Sequence, residues 1–335
     1  MGIFLEEGRR RPRALWRLLL QLVIFALLAA LLTSLFAAVW FVLGPQPRPG
    51  SGSAGQLASS PALFLLSTLA SLVAMLLSLW IAGRYLDRRP FRDFGFHIDR
   101  GWWLDLAFGL ALGALLMTGI FLAQLALGWV EVVGTFSSGL PGVPFRTAIL
   151  LPLAIFVCVG IYEEALSRGY QLRNMAEGLN YPALGPRGAV ATAWVLSSLF
   201  FGLLHLANPN ATLISTLNIS LAGILLGAGY VLTGELAIPI GLHITWNFFQ
   251  GAVYGFPVSG LQSAGASFLR IKQSGPEIWT GGPFGPEAGL VDPIAVLVGC
   301  LLIALWVRLR HGKVTLLPAL AEGPREGPSP GGPSR

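Results

Sequence analysis

Charge is scarce in this sequence: 11% of its 335 residues are Asp, Glu, Lys or Arg, against roughly 25% in a soluble domain. Between Gly188 and Gly234, 47 consecutive residues carry no charged side chain at all. A water-soluble enzyme is excluded on that ground. Cysteine is nearly absent, with Cys158 and Cys300 both inside apolar runs, so neither a disulfide framework nor a cysteine-rich zinc site is available. No HExxH helix occurs, no GxSG serine lies in an apolar run, and no internal repeat is evident, which weighs against a zinc-protease helix and a repeat-built transporter. The net charge of +6 and pI near 9.8 do not point to nucleic acid, because the arginines cluster in short segments beside the apolar runs.

What is present is apolar length. Hydrophobic residues make up 54% of the chain and the mean hydropathy is +0.69. Cut into segments of the ~20 residues that a bilayer demands, the sequence reads as an all-α, polytopic membrane helix bundle with about eight transmembrane helices. They are expected near 18–44, 61–83, 104–130, 147–172, 188–207, 211–232, 236–256 and 290–307. With both termini cytoplasmic, the inner segments hold 18 Lys or Arg and the outer loops only Arg48, Arg146, Arg270 and Lys272, the bias expected of short inner loops. The first run is too long and lacks a cleavage site for a removed signal peptide.

Four regions follow from this cut. Residues 1–84 hold a cytoplasmic segment and two helices, 85–256 a core, and 257–317 an outer loop and the last helix; 318–335 is expected to be a disordered tail. Residues 45–60 and the tail are rich in Gly, Ser and Pro and read as flexible. The 257–288 segment carries Phe268, Trp279 and Phe284 among its glycines and is expected against the outer membrane surface.

In such a chain the informative residues are polar ones inside apolar runs, since an unpaired charge there costs several kcal/mol. Glu164 and Arg168 stand four apart, on one helix face in the favourable order for an ion pair. Glu163 points about 100° away and keeps no intrahelical partner. The competing reading is a helix end where all three charges are solvated. Phe201 and His205 again stand four apart; the alternative for such a histidine is hydrogen-bonded packing. His243 and Asn247 repeat the spacing, and there the amide could equally join two helices. Together these residues supply a carboxylate and histidine able to deprotonate water, and a His/Asn pair able to donate to an oxyanion.

At these residues the sequence resembles a known family. EEALSR, FGLLH and HITWN match the motifs EExxxR, FxxxH and HxxxN, in order and on successive spans, of the CAAX protease and bacteriocin-processing (CPBP) family of intramembrane proteases, which includes the Ras-converting type II CAAX prenyl endopeptidase. The resemblance covers about residues 85–255, including Phe94-Gly95-Phe96 and Trp102-Trp103. It implies an intramembrane endopeptidase in which Glu163 activates water together with His205, and His243 and Asn247 form the oxyanion site. Glu164, Arg168 and Phe201 would support them. No cofactor is then required; a Zn²⁺ ion on Glu163, His205 and His243 is the metal-assisted alternative. Implied partners are the lipid bilayer and a peptide or protein substrate, itself membrane-associated, with no nucleic acid.

Two rival readings use the same residues, a non-catalytic scaffold or toxin-immunity member of the family and, further off, a transporter. High Arg, Gly, Ala and Pro with two lysines suggests a GC-rich prokaryotic gene, so an inner-membrane location is expected and prenylated substrates are not. One geometric demand remains. Straight helices would set His205 near the outer end of its span, away from Glu163 and His243, so convergence needs either the Ala207–Asn210 connection sunk within protein or helices that are offset or tilted.

Overall fold

The computed structural model describes residues 4–6, 11–43, 61–262 and 265–324. All of the 45–60 linker, and residues 325–335 of the expected tail, lie outside them. Among the described residues, seven helices are long and apolar enough to cross a membrane: α1 (Ala14–Val42), α2 (Leu63–Asp87), α3 (Arg100–Ala126), α4 (Phe145–Leu179), α5 (Gly185–Ala207), α6 (Leu213–Thr233) and α8 (Val291–His311). The remaining expected span, 236–256, is the shorter α7 (Ala237–Asn247), prolonged by a wide turn over Phe248–Val253. Ten of the eleven α7 residues are buried, so α7 is enclosed by protein rather than lipid.

The apolar surface is distributed as a bilayer requires. Leu27, Leu31 and Phe41 of α1, Leu115 and Leu122 of α3, Phe200 and Leu203 of α5, and Leu297 and Leu301 of α8 are all exposed and form the lipid-facing shell. Behind them α7 packs closely on α3. A methyl group added at Gly109 would strike the Ile238 carbonyl, one at Gly113 the Leu242 carbonyl, and one at Gly241 the Leu106 carbonyl. Small residues at these crossings bring the two backbones together, and this fixes the helix that carries His243 and Asn247.

Several elements depart from the sequence expectation. The third span stops at Ala126 instead of 130, with Gly128 in the left-handed region (φ +69°); the β-branched run beyond it forms β1 (Val130–Ser138). β1 pairs antiparallel with β2 (Ala266–Gln273), a two-stranded ribbon on an otherwise helical bundle. The 257–288 segment, read as lying on the membrane surface, is thus partly a strand, and its Phe284 is buried at 1% exposure. The fourth span is a 35-residue helix, longer than the 147–172 expected, because polar residues after Leu172 are paired within protein rather than released to water.

The tail reading also needs correction where the chain is described. Residues 318–321 form a short helical turn with Leu320 and Ala321 buried. Leu317 N donates to Val231 O, Asn180 Nδ2 to Ala321 O, and Arg89 to Glu322 O. The apolar side chains of PALA supply the docking contact that the Gly/Pro composition of the following residues concealed. At the same end, Arg17 is fully buried against Asp87 at 2.8 Å and Glu177 at 3.0 Å. Arg11 reaches Glu6 and Glu177, and Arg89 also pairs with Glu177. These arginines, read as topological flanks, tie α1, α2 and α4 together.

Candidate active site

Glu163 and Glu164 fall near the middle of α4, not at a solvated helix end. Glu164 is fully buried and Arg168, one turn on, is 1% exposed, with Arg168 Nη1 donating to Glu164 Oε1 at 2.9 Å. The guanidinium also donates through Nη2 to Gly223 O on α6 at 3.2 Å and lies 4.4 Å from the centre of the Phe201 ring. The ion pair read from the spacing is therefore formed, inside protein.

The same Glu164 oxygen does something the spacing did not reveal. It accepts from His243 Nδ1 at 2.7 Å, joining α4 to α7 across 79 residues of sequence. A carboxylate on Nδ1 fixes the ring orientation and leaves Nε2 as the outward-facing nitrogen. That nitrogen lies 4.0 Å from Glu163 Oε2, too far for a direct hydrogen bond. Glu163 keeps 24% side-chain exposure, so the two adjacent acids occupy different settings, one held inside and one facing open space.

His205 approaches from α5. Its Nδ1 donates to Phe201 O at 2.7 Å, so in the neutral ring Nε2 carries the free lone pair. The Phe201 ring sits 4.9 Å from the His205 ring and 6.1 Å, edge-on, from that of His243. Phe201 is the wedge that spaces the two imidazoles and covers Arg168. Glu163, His205, His243 and Asn247 all line one cavity of about 540 Å³, whose walls also include Phe25 of α1 and Phe64 and Ser67 of α2.

This convergence does not come from a sunken connection. Leu206, Ala207, Pro209 and Asn210 are exposed and only Asn208 is half-buried. Glu163 stands near the middle of α4 and His205 near the end of α5, and both side chains reach the same cavity.

Sequence reasoning missed part of the cavity wall, where Asn208, Ser259 and Glu287 join the lining. Glu287 is 5% exposed and accepts from Ser259 N at 2.5 Å and Ser259 Oγ at 3.1 Å. Burial pushes its carboxyl up, while Gln250, Ser259 and nearby His205 pull it back. A lone acid in a Gly/Pro-rich run carries no spacing signal that would have found it. Asp105, a polar residue inside the third span, was missed as well; it accepts from Trp306 Nε1 at 2.8 Å and pairs with Arg310 at 2.7 Å, pinning α3 to α8.

Among the described residues no three His, Cys, Asp or Glu side chains come together in a metal-holding group; the Nδ1 atoms of both histidines are bonded to protein, which leaves their Nε2 atoms toward the cavity.

Comparison with known proteins bears on one part of the chain. Residues 145–249 match the family model described as type II CAAX prenyl endopeptidase Rce1-like, a segment that contains all three motifs. No curated protein and no solved structure matches the chain.

Proposed function

We propose that this chain, whose residues 145–249 match the type II CAAX prenyl endopeptidase Rce1-like model, is an intramembrane protease of the CAAX protease and bacteriocin-processing kind that hydrolyses a peptide bond in the cavity between α4, α5 and α7, using water activated by Glu163. The observation that carries the reading is the meeting of Glu163, His205, His243 and Asn247, from three helices, on the wall of one cavity.

Each group has a task set by its surroundings. Glu163, exposed to the cavity, accepts the proton of a water molecule that His205 Nε2 helps to hold. The water oxygen bonds to the carbonyl carbon of the substrate, and the carbonyl oxygen becomes an oxyanion. With its ring in the imidazolium form, His243 keeps Nδ1–H on Glu164 and donates Nε2–H to that oxyanion beside the Asn247 amide, which a preorganised pair does without reorganisation cost. Collapse breaks the C–N bond, and the proton taken by Glu163 passes to the departing amine. Glu164 and Arg168 stay outside the reaction; they hold His243 at its angle.

The substrate is a peptide or protein segment drawn from the membrane, since α1 and α2 contribute to the cavity wall. The arginine distribution supports cytoplasmic termini, and the high Arg, Gly, Ala and Pro with two lysines supports a prokaryotic inner membrane. The test uses the purified chain in lipid nanodiscs with a pool of proteome-derived peptides read by mass spectrometry. Wild type should generate new termini, while Glu163→Gln should generate none at an unchanged thermal midpoint. Cleavage by Glu163→Gln, or none by wild type, would overturn the assignment.

A further inference from the structure

The loop that brings Ser259 and Glu287 to the cavity lining lies outside the family-matched segment, yet it grips the turn that presents His205. Ser259 is among the few non-glycine residues in the left-handed region, with φ +47°, a conformation that costs free energy and persists only where surrounding contacts enforce it. Three contacts do so. Its N–H and its hydroxyl both donate to Glu287, and its carbonyl accepts from Asn208 Nδ2 at 2.9 Å. Asn208 in turn closes the helical turn that begins at His205, through Asn208 N donating to His205 O at 3.1 Å.

The neighbouring residues interlock the same two segments. Gly260 N donates to Phe284 O at 2.8 Å, and a methyl group at Gly260 would collide with the Pro209 carbonyl. The turn at 205–210 therefore has no freedom to drift along the axis of α5 without breaking the Ser259 contacts. Glu287 is the buried end of that chain of bonds. Its carboxylate is spent on Ser259 rather than on an ion pair, and among the described residues it has no salt bridge to Lys or Arg.

We propose that Glu287 is a positioning residue of the hydrolytic site, which acts through Ser259 and Asn208 to hold His205 at the depth where its Nε2 meets Glu163 and the reacting water. This rests on the reading of His205 as a participant in hydrolysis. Its consequence is specific: loss of the clamp displaces one catalytic imidazole and leaves α4 and α7 as they are. A displacement of about 1 Å in such a group costs on the order of a hundredfold in rate.

The experiment compares wild type, Glu287→Ala, Glu287→Gln, Asn208→Ala and the Glu287→Ala/Asn208→Ala double variant, each full length in nanodiscs. Two readouts are taken. Hydrogen exchange across 203–211 should speed up in Glu287→Ala and Asn208→Ala, with exchange in α6 and α7 unchanged. Hydrolysis of a peptide identified from the pool should lose about tenfold or more in kcat with KM held within about threefold. Glu287→Gln, which keeps an acceptor for Ser259, should recover most of the loss, and the double variant should lose no more than the worse single one, as expected of residues acting through one path.

Unchanged exchange at 203–211, unchanged kcat, or a kcat loss that Gln fails to rescue would each overturn the proposal. A wild type that cleaves nothing would instead sink the hydrolysis reading, and the exchange measurement would still decide whether Glu287 holds the turn.

Discussion

His243 Nδ1 lies 2.7 Å from Glu164 Oε1, and that single bond joins the acidic helix to the helix of the oxyanion pair. Because Arg168 Nη1 reaches the same oxygen at 2.9 Å, one buried carboxylate serves both a structural cation and a histidine of the site. The pair of adjacent acids thus divides its labour by environment, with Glu164 held by Arg168 and His243 while Glu163 faces the cavity.

Removing Arg168 should be costly. Arg168→Ala leaves the fully buried Glu164 without its cation, and breaking a buried pair in this way costs about 3–5 kcal/mol. Thermal unfolding in nanodiscs should show a large fall in midpoint for Arg168→Ala. A variant as stable as wild type would mean that the pair is solvated.

Asn247→Ala should act on rate alone. Asn247 lines the cavity one turn beyond His243, and loss of one oxyanion donor typically lowers kcat by about 10²–10³. Steady-state kinetics on an identified peptide should show that loss with KM little changed. A rise in KM at constant kcat would instead make Asn247 a substrate-binding group.

Gly113→Val should damage the site from a distance. The added branches meet the Leu242 carbonyl on α7, so α7 must move away from α3 and carry His243 and Asn247 with it. Overpacking of this kind costs typically about 1–3 kcal/mol. Loss of both thermal stability and turnover is expected, and normal turnover would show that α7 can shift without consequence.

The pH dependence of stability carries a sign for Glu287. Burial raises its carboxyl above the ordinary value of 4.5. A group raised on folding contributes stability that is present below its unfolded value and lost as pH rises through its folded value. Wild type should therefore lose stability as pH climbs above about 4.5, and Glu287→Gln, which cannot ionise, should lose less. Thermal midpoints of both proteins across pH 4 to 8 check this through the gap between the two curves, which should widen toward high pH; parallel curves would contradict it.

Much of this site was legible because its key pairs are local. Glu164 with Arg168, Phe201 with His205, and His243 with Asn247 each sit four residues apart, a spacing that one helix makes readable, and apolar run length placed the helices that carry them. What stayed hidden depends on pairings across the fold. The Glu164–His243 bond joins residues on two helices, the β1–β2 ribbon joins segments separated by four helices, and Glu287 gains its place only through Ser259. Residues 173–179 read as a cytoplasmic exit because they are polar, yet Glu177 is buried among Arg11, Arg17 and Arg89. The docked turn at 318–321 was masked by the composition of the residues around it.

The most direct test of the account follows solvent oxygen through a single turnover in ¹⁸O-enriched water, with enzyme in excess over an identified peptide. Water activated by Glu163 predicts one ¹⁸O atom in the new carboxylate of the product and none in the Glu163 side chain, with no product at all from Glu163→Gln. Label in the Glu163 carboxylate would reveal a covalent acyl intermediate on that residue and contradict its role as the base.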